Sequence, residues 1–298
     1  MKLNSIYQKD CLTFMRGKKE KMFDVIVTSP PYNLNKKYSA YKDNKERNEY
    51  LKWMRKVAKA SSRVLKDDGS FFLNIGGKPS DPFLPIDVAK KFGEVYKLQN
   101  VIHWIKHISI PQDSQAKYNA LNGDVSYGHF KPINSDVYLN QSQEYVFHFT
   151  KKGNVELHKL DIGVPYQDKT NINRWSKKED KRDRGNVWFI PYETKVGNFK
   201  HPAEFPVKLP YLCIKLHGKR DDLIVYDPFM GIGSTALACI SLGVNYIGTE
   251  IDRNYIDKAR ERIEQYKNVN IESQKENDSQ HPKKINRQNV LTNDDKPF

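Results

Sequence analysis

Leu223-Ile-Val-Tyr-Asp227-Pro-Phe-Met-Gly231-Ile-Gly233-Ser-Thr235 runs into a helical stretch to Leu242 and then into Asn245-Tyr-Ile-Gly-Thr-Glu250. A short apolar run of strand length ends in a carboxylate. A glycine turn, a helix and a second strand follow. This unit is a nucleotide-type crevice and sets the fold class as α/β with a mostly parallel sheet. Gly231 and Gly233 let the backbone turn tightly and come close to a ligand. Glu250, about 20 residues further on at the end of the second strand, can accept hydrogen bonds from both hydroxyls of a ribose. A lone G-x-G marks many ordinary β–α turns, but the strand, the helix and the spaced acid together favour binding.

The type of nucleotide is narrowed by what surrounds the glycines. Position 236 is Ala, where a pyrophosphate site wants a third glycine, and no G-x-x-x-x-G-K-[ST] occurs. Asp227 repels a phosphate but attracts the ammonium and sulfonium charges of S-adenosylmethionine. The cofactor expected is therefore S-adenosyl-L-methionine.

Upstream, residues 1–106 show the same alternation. Phe23-Asp-Val-Ile-Val-Thr28 reads as a buried strand. A helix from about Glu46 to Leu65 follows, with Tyr50, Trp53, Met54, Val57, Ala58 and Ser61 at helical spacing. Asp68-Gly69 reads as a turn into the strand Ser70–Ile75, and a helix over about 83–96 leads to a strand at 101–105. Thr28-Ser29-Pro30-Pro31-Tyr32-Asn33 leaves the first of these strands. Two prolines hold Ser29 and Pro30 extended at the carboxyl end of the sheet, where open α/β folds bind ligands. The Ser29 oxygen and the Pro30 carbonyl can each accept a proton of an exocyclic amino group, and Tyr32 offers a face for a flipped base. A conjugated amino nitrogen is a poor nucleophile. Two acceptors on its protons turn its lone pair toward a methyl donor, and transfer then rests on positioning. The bland reading of these residues is a Pro-Pro strand end.

The two motifs in this order resemble the β-class exocyclic-amino DNA methyltransferases, in which the catalytic motif precedes the cofactor motif. The resemblance covers about residues 3–266 and takes in Asp10-Cys11, Ser142–Phe149, Asn186-Val-Trp188 and His201-Pro-Ala-Glu-Phe-Pro206. It implies a Rossmann-like methyltransferase fold: a mostly parallel seven-stranded sheet with helices on both faces and a polar target-recognition insert. It also implies a cofactor site of Asp10, Cys11, Thr28, His201, Pro202, Phe205, Asp227, Pro228, Phe229, Gly231, Gly233, Ser234, Thr235, Glu250 and Ile251. Within that site Asp10 and Cys11 meet the adenine ring, and His201, Pro202 and Phe205 close the pocket. Ser29, Pro30, Pro31 and Tyr32 form the catalytic ledge. The serine form of the tetrapeptide is commonest in N4-cytosine enzymes, with adenine N6 as the alternative. A C5-cytosine route needs a cysteine nucleophile, typically after proline, and none of Cys11, Cys213 and Cys239 follows one.

The composition agrees. The 298 residues carry 50 Lys+Arg against 36 Asp+Glu, a formal charge of +14, which suits a polyanionic partner. No stretch approaches the ~20 apolar residues of a membrane span. Three widely spaced cysteines point to a reducing compartment and no metal. Double-stranded DNA is the expected partner, in a prokaryotic cytoplasm at the nucleoid, with a separately acting restriction endonuclease as companion and the chain itself a monomer or homodimer. A SAM-binding module without catalysis is the competing class, disfavoured by the intact ledge and glycines.

The chain divides into a catalytic half (1–106), an inserted recognition region (107–200, with a core strand near 144–149), a cofactor half (201–267) and a mobile polar tail (268–298). Both stretches 107–140 and 151–185 are unusually polar. The second is the first choice for reading DNA, as in the family. The expected DNA contacts are Asn33, Lys36, Lys37, Arg174, Trp175, Lys177, Lys178, Arg182 and Arg184. Lys106, Lys117 and Lys131 are expected on phosphates.

Overall fold

A computed structural model describes residues 1–36, 39–110, 125–128, 135–175, 179–191 and 205–279. Its strands are β1 (Ser5–Gln8), β2 (Phe23–Thr28), β3 (Leu65–Ile75), β4 (Lys97–Ile105), β5 (His107–Ile110), β6 (Val125–Gly128), β7 (Gln143–Thr150), β8 (Val187–Phe189), β9 (Ile224–Asp227) and β10 (Asn245–Glu250). Its helices are α1 (Cys11–Arg16), α2 (Arg47–Val64), α3 (Leu84–Gly93), α4 (Ile172–Trp175), α5 (Lys208–His217), α6 (Ser234–Leu242) and α7 (Arg253–Ser279).

Strand β2 is buried along its whole length, which is what a run without polar alternation demands: a central strand covered on both faces. It lies between β9 and β3 in a sheet ordered β1-β10-β9-β2-β3-β7-β4-β8. All neighbours run parallel except β7, which is antiparallel to both β3 and β4. On one face Phe72, Val25 and Val225 pack with residues of α5, α6 and α7. On the other, Phe71, Leu73 and Ile26 pack with α1, α2 and α3. Ala236, Leu237, Ala238 and Cys239 of α6 are all buried, as a helix that is apolar all round requires.

The sheet has eight strands where seven were expected. The additional one is the three-residue edge strand β8, which continues the sheet past β4 through His103↔Val187, Trp104↔Trp188 and Ile105↔Phe189. Asp68-Gly69 is not a turn, because β3 runs through it from Leu65. The β2–β3 register shifts between Phe23 and Val25. A Cβ at Gly69 would stand 2.8 Å from the Asp24 carbonyl oxygen, so glycine serves a close approach here. The last helix, read to about Tyr266, continues to Ser279. Among the described residues no helix is long and apolar enough to cross a membrane, and the three cysteines are buried and free.

Candidate active site

Parallel pairing of β2 with β9 aligns Val25 with Val225 and Ile26 with Tyr226, so the two strands deliver their last residues side by side. Thr28 Oγ1 donates to Asp227 Oδ1 at 2.6 Å across 199 positions of sequence. The chain beyond Thr28 and the chain beyond Asp227 therefore leave the sheet together at its carboxyl end.

The proline segment is fixed from behind. Tyr50 of α2 donates its hydroxyl to the Pro31 carbonyl at 2.8 Å. Among the described residues nothing donates to the Pro30 carbonyl, so the acceptor assigned to an amino group is still available. Ser29 Oγ lies 2.8 Å from the Tyr32 hydroxyl. That hydroxyl also meets Asn74 Oδ1 at 3.0 Å and Glu144 Oε2 at 2.9 Å. A Cβ on Gly76 would stand 2.9 Å from Glu144 Cγ and 3.3 Å from Tyr32 Cε2, so the absent side chain leaves room for this cluster.

On the other side, Asp227 is fully buried. Thr235 Oγ1 donates to its Oδ2 at 2.6 Å and the Phe229 amide to its Oδ1 at 3.0 Å. Burial pushes its carboxyl up to about 6 against these hydrogen bonds, which favour the charged form. Gly233 adopts φ +91° and caps α6, and a Cβ there would meet the Ala259 Cβ at 3.1 Å. Glu250 Oε2 accepts from the Gly231 amide at 2.9 Å, while Oε1 accepts from the amides of Ile251 and Asp252. Burial raises the Glu250 carboxyl as well. Each oxygen sits at the cleft edge with its position set by backbone donors.

These parts enclose one cleft with about 1090 Å³ of empty space, part of it open to solvent, lined by Ser29, Pro30, Asp10, Phe229, Gly231 and Glu250 among others. Cys11, Pro31, Phe205, Pro228, Ser234 and Ile251 line it too. Thr28, Asp227, Gly233 and Thr235 do not. They are buried beside it, with Asp227 accepting from Thr28, Phe229 and Thr235. Tyr32 is behind the ledge, with its hydroxyl turned to β3 and β7. His201 and Pro202 fall outside the described residues.

The sequence reading missed a wall of the cleft. Ala40, Tyr41, Lys45, Trp53, Asp252 and Tyr255 line it. Trp53 packs edge-on against Phe229 with centroids 5.6 Å apart, and Tyr41 lies 5.8 Å from Trp53. Helical spacing assigned Trp53 to the core, and a side chain at the border of a buried stripe serves both. Residues 33–36 and 39–45 border this side. Asp43 accepts from the amides of Asn33, Leu34 and Lys36, and Ser39 bonds to Asp252 across the cleft.

Several of the expected DNA contacts are engaged within the protein. Asn33 has φ +60°, and its amide is committed at both ends, donating to the Lys45 carbonyl and accepting from the Lys45 amide. It clasps the loop. Lys106 is buried with its ammonium 3.1 Å from Glu144 Oε1. Arg184 is half-buried and donates to the Ile162 carbonyl at 2.8 Å, and burial lowers its pKa. Lys36, Arg174 and Arg182 are exposed. Lys37, Lys117, Lys131, Lys177, Lys178 and the Trp175 side chain fall outside the described residues.

Topology also separates the two polar inserts. The 107–140 stretch leaves β4 at Ile105 and returns at Gln143, which pair with each other at the carboxyl end of the sheet, beside the ledge. The 151–185 stretch starts where β7 ends, at Thr150, paired with Lys97 at the opposite end. It is tied down by Val164↔Arg182 and by Lys159–Ile162 against α5.

A family model described as DNA methylase, covering N6 and N4 enzymes, matches residues 23–261. The chain belongs to this family. The methylase is 28% identical over 273 residues to the type II methyltransferase M.BglII of Bacillus subtilis, spanning 86% of this chain and 68% of that one. In structure it resembles the PvuII DNA methyltransferase described as cytosine-N4-specific, with a TM-score of 0.62 at 20% identity over 86% and 84% of the two chains. It also resembles a putative DNA modification methylase from Thermus thermophilus solved with S-adenosyl-L-methionine, with a TM-score of 0.56 at 20% identity over 88% and 93%. The methylase thus has the mixed α/β architecture of these neighbours, with ledge and glycine turn meeting in one crevice.

Proposed function

We propose that this methylase transfers a methyl group from S-adenosylmethionine to the exocyclic N4 amino group of a cytosine turned out of duplex DNA, as the modification arm of a restriction–modification system. The observation that carries the reading is the Thr28–Asp227 hydrogen bond, which holds the Ser29–Pro30 ledge and the glycine turn at one cleft.

The residues present suit the cofactor. Gly231, at φ +53°, brings bare backbone to the cleft floor. Glu250 offers carboxylate oxygens for a ribose diol, and Ile251, 39% exposed, gives an uncovered apolar edge for a flat ring. Trp53 and Phe229 wall the remaining side. The buried Asp227 carboxylate and Glu250 make the floor acidic, which suits a cationic ligand and opposes a phosphate. S-adenosylmethionine supplies an electrophilic methyl carbon when bound there. Asp10, Cys11, Phe205, Pro228 and Ser234 complete its walls in this reading.

The chain's own part is positioning. Ser29 Oγ and the Pro30 carbonyl each hold one proton of the amino group, which draws the nitrogen lone pair out of conjugation and turns it toward the cleft. The Pro30-Pro31 pair keeps these acceptors from moving, and Tyr50 locks the second proline. The Tyr32 ring supports the ledge from behind, beside Gly76. Serine at the ledge supports cytosine as the target; methylation of adenine N6 by the same fold is the alternative.

Residues 107–140, whose two ends rise beside the ledge, are the recognition element favoured by this topology, in place of 151–185. The basic surplus supplies phosphate attraction in either case. The deciding experiment expresses the chain in cells free of other methylases and sequences their DNA by a method that detects modified bases, with mass analysis of the nucleosides. N4-methylcytosine in one short sequence is expected. N6-methyladenine selects the alternative, and unmodified DNA refutes both.

A further inference from the structure

The cluster behind the ledge has more acceptors than protons, and this decides which way Ser29 points. Three oxygens surround the Tyr32 hydroxyl: Ser29 Oγ at 2.8 Å, Asn74 Oδ1 at 3.0 Å and Glu144 Oε2 at 2.9 Å. Asn74 has its amide nitrogen spent on Glu144 Oε2 and on the Tyr145 carbonyl, both at 3.2 Å, so its oxygen faces Tyr32 as an acceptor only. The Glu144 carboxylate is held from its far side by the Lys106 ammonium at 3.1 Å. A phenol carries one proton. With a carboxylate and an amide oxygen in front of it, Tyr32 spends that proton forward. The contact with Ser29 then exists only if Ser29 is the donor.

We infer that Tyr32, Glu144 and Asn74, with Lys106 behind them, fix the Ser29 hydroxyl as an acceptor toward the cleft, and so make the ledge selective for a base that presents an amino group over one that presents a carbonyl. This rests on the methyl-transfer reading above. A free serine hydroxyl can donate as readily as accept and would welcome either base. Here its proton is turned away into the protein, toward Tyr32. Both lone pairs remain for an N–H donor, and a carbonyl oxygen arriving at the same place meets oxygen against oxygen. An unpaired acceptor in a desolvated site is costly, so the discrimination is large for one hydroxyl. The arrangement gives serine the acceptor character of a carboxamide or carboxylate oxygen without the extra length. Tyr32, Glu144 and Asn74 are positioning residues in this scheme, because they act through Ser29.

The test compares binding of two duplexes by wild type, Tyr32→Phe, Ser29→Ala and the double variant. One duplex carries the recognition sequence read from the modified DNA. In the other the target amino base is replaced by its carbonyl counterpart, uracil for cytosine or hypoxanthine for adenine. The cost of opening each duplex is common to all four proteins and cancels between them. Wild type prefers the amino duplex, and Tyr32→Phe, which keeps the ring but frees the serine proton, lowers that preference about tenfold or more. Ser29→Ala lowers it as well, and Tyr32→Phe adds nothing in the Ser29→Ala background. A preference unchanged in Tyr32→Phe, or a further change in the double variant, overturns the inference, because a tyrosine acting only by stacking or packing would behave that way. Where melting shows Tyr32→Phe unfolded, Glu144→Gln carries the same comparison.

A second measurement needs no DNA. The Tyr32 hydroxyl proton should give a slowly exchanging NMR resonance, absent in Tyr32→Phe and displaced in both Ser29→Ala and Glu144→Gln. If that resonance is present while no DNA is methylated, the reaction reading fails and the proton arrangement stands. If DNA is methylated and the resonance is missing, the reverse holds.

Discussion

Thr28→Val tests whether the join between the two halves works through a charged group. Valine keeps the shape of a side chain that is 1% exposed and removes one donor, the hydroxyl 2.6 Å from Asp227 Oδ1. At pH 8 Asp227 is ionised, because burial raises its carboxyl only to about 6. The lost bond is then one to a charge, and the expected destabilisation is about 1.5–3 kcal/mol. At pH 5 the same carboxyl is protonated in the folded protein, and a neutral hydrogen bond is lost at about 0.5–1.5 kcal/mol.

The pH dependence has a definite sign. Asp227 holds its proton up to about 6 when folded and releases it near the ordinary 3.8 when unfolded. Its contribution to stability is therefore greatest at low pH, falls as pH rises between those values, and levels off above the higher one. Removing Thr28 penalises the charged form further and steepens that fall. Urea denaturation followed by tryptophan fluorescence at pH 5 and pH 8 measures both values. A Thr28→Val penalty that is the same at the two pH values would refute a charged, hydrogen-bonded Asp227 at this join.

Ser29→Ala should leave cofactor affinity within about twofold while methyl transfer falls by about 10²–10³, as calorimetric titration and tritiated methyl incorporation would show. Transfer at the wild-type rate would remove Ser29 from the mechanism. Gly233→Ala forces a side chain into φ +91° and against Ala259, so a loss of about 1–3 kcal/mol in thermal or urea unfolding is expected. Gly76→Ala pushes on Glu144 and the Tyr32 ring. It should lower kcat with little effect on cofactor binding, whereas a change in cofactor binding alone would show that the cluster serves the other side of the cleft. Trp53→Ala opens the wall against Phe229 and should weaken cofactor binding by about tenfold or more; unchanged affinity in calorimetry would place the ligand elsewhere.

Much of this molecule is legible from local pattern. A short β-branched run without polar alternation such as Phe23–Thr28 reads as a covered strand, and Glu46 caps the helix that follows by accepting from the amides of Asn48 and Glu49. The glycine turn and the Pro-Pro ledge announce themselves because each needs backbone geometry that few residues permit. What stays hidden depends on partners far away in sequence. Strand β8 is three residues long and exists because β4 offers it an edge. Gly69 resembles a turn residue until β2 is seen pressing against it. Lys106 has the composition of a phosphate contact, but Glu144 claims it. Asn33 reads as a polar loop residue beside a catalytic motif, and only the return of the chain at Lys45 shows that its amide ties the loop together. The family resemblance ranked 151–185 as the reader of DNA. Strand direction, which a resemblance in motifs does not carry, is what favours 107–140 in the proposed reading.

The sheet order has a consequence for synthesis. β2 leaves the ribosome long before β9, its partner on one side, whose Asp227 lies 199 positions beyond Thr28. Until β9 follows, a strand destined for full burial borders a half-built sheet with one edge bare, a surface other nascent chains can extend. A prematurely terminated product would therefore be both unable to modify DNA and prone to aggregate, so quality control is expected to remove such fragments before they bind the genome unproductively.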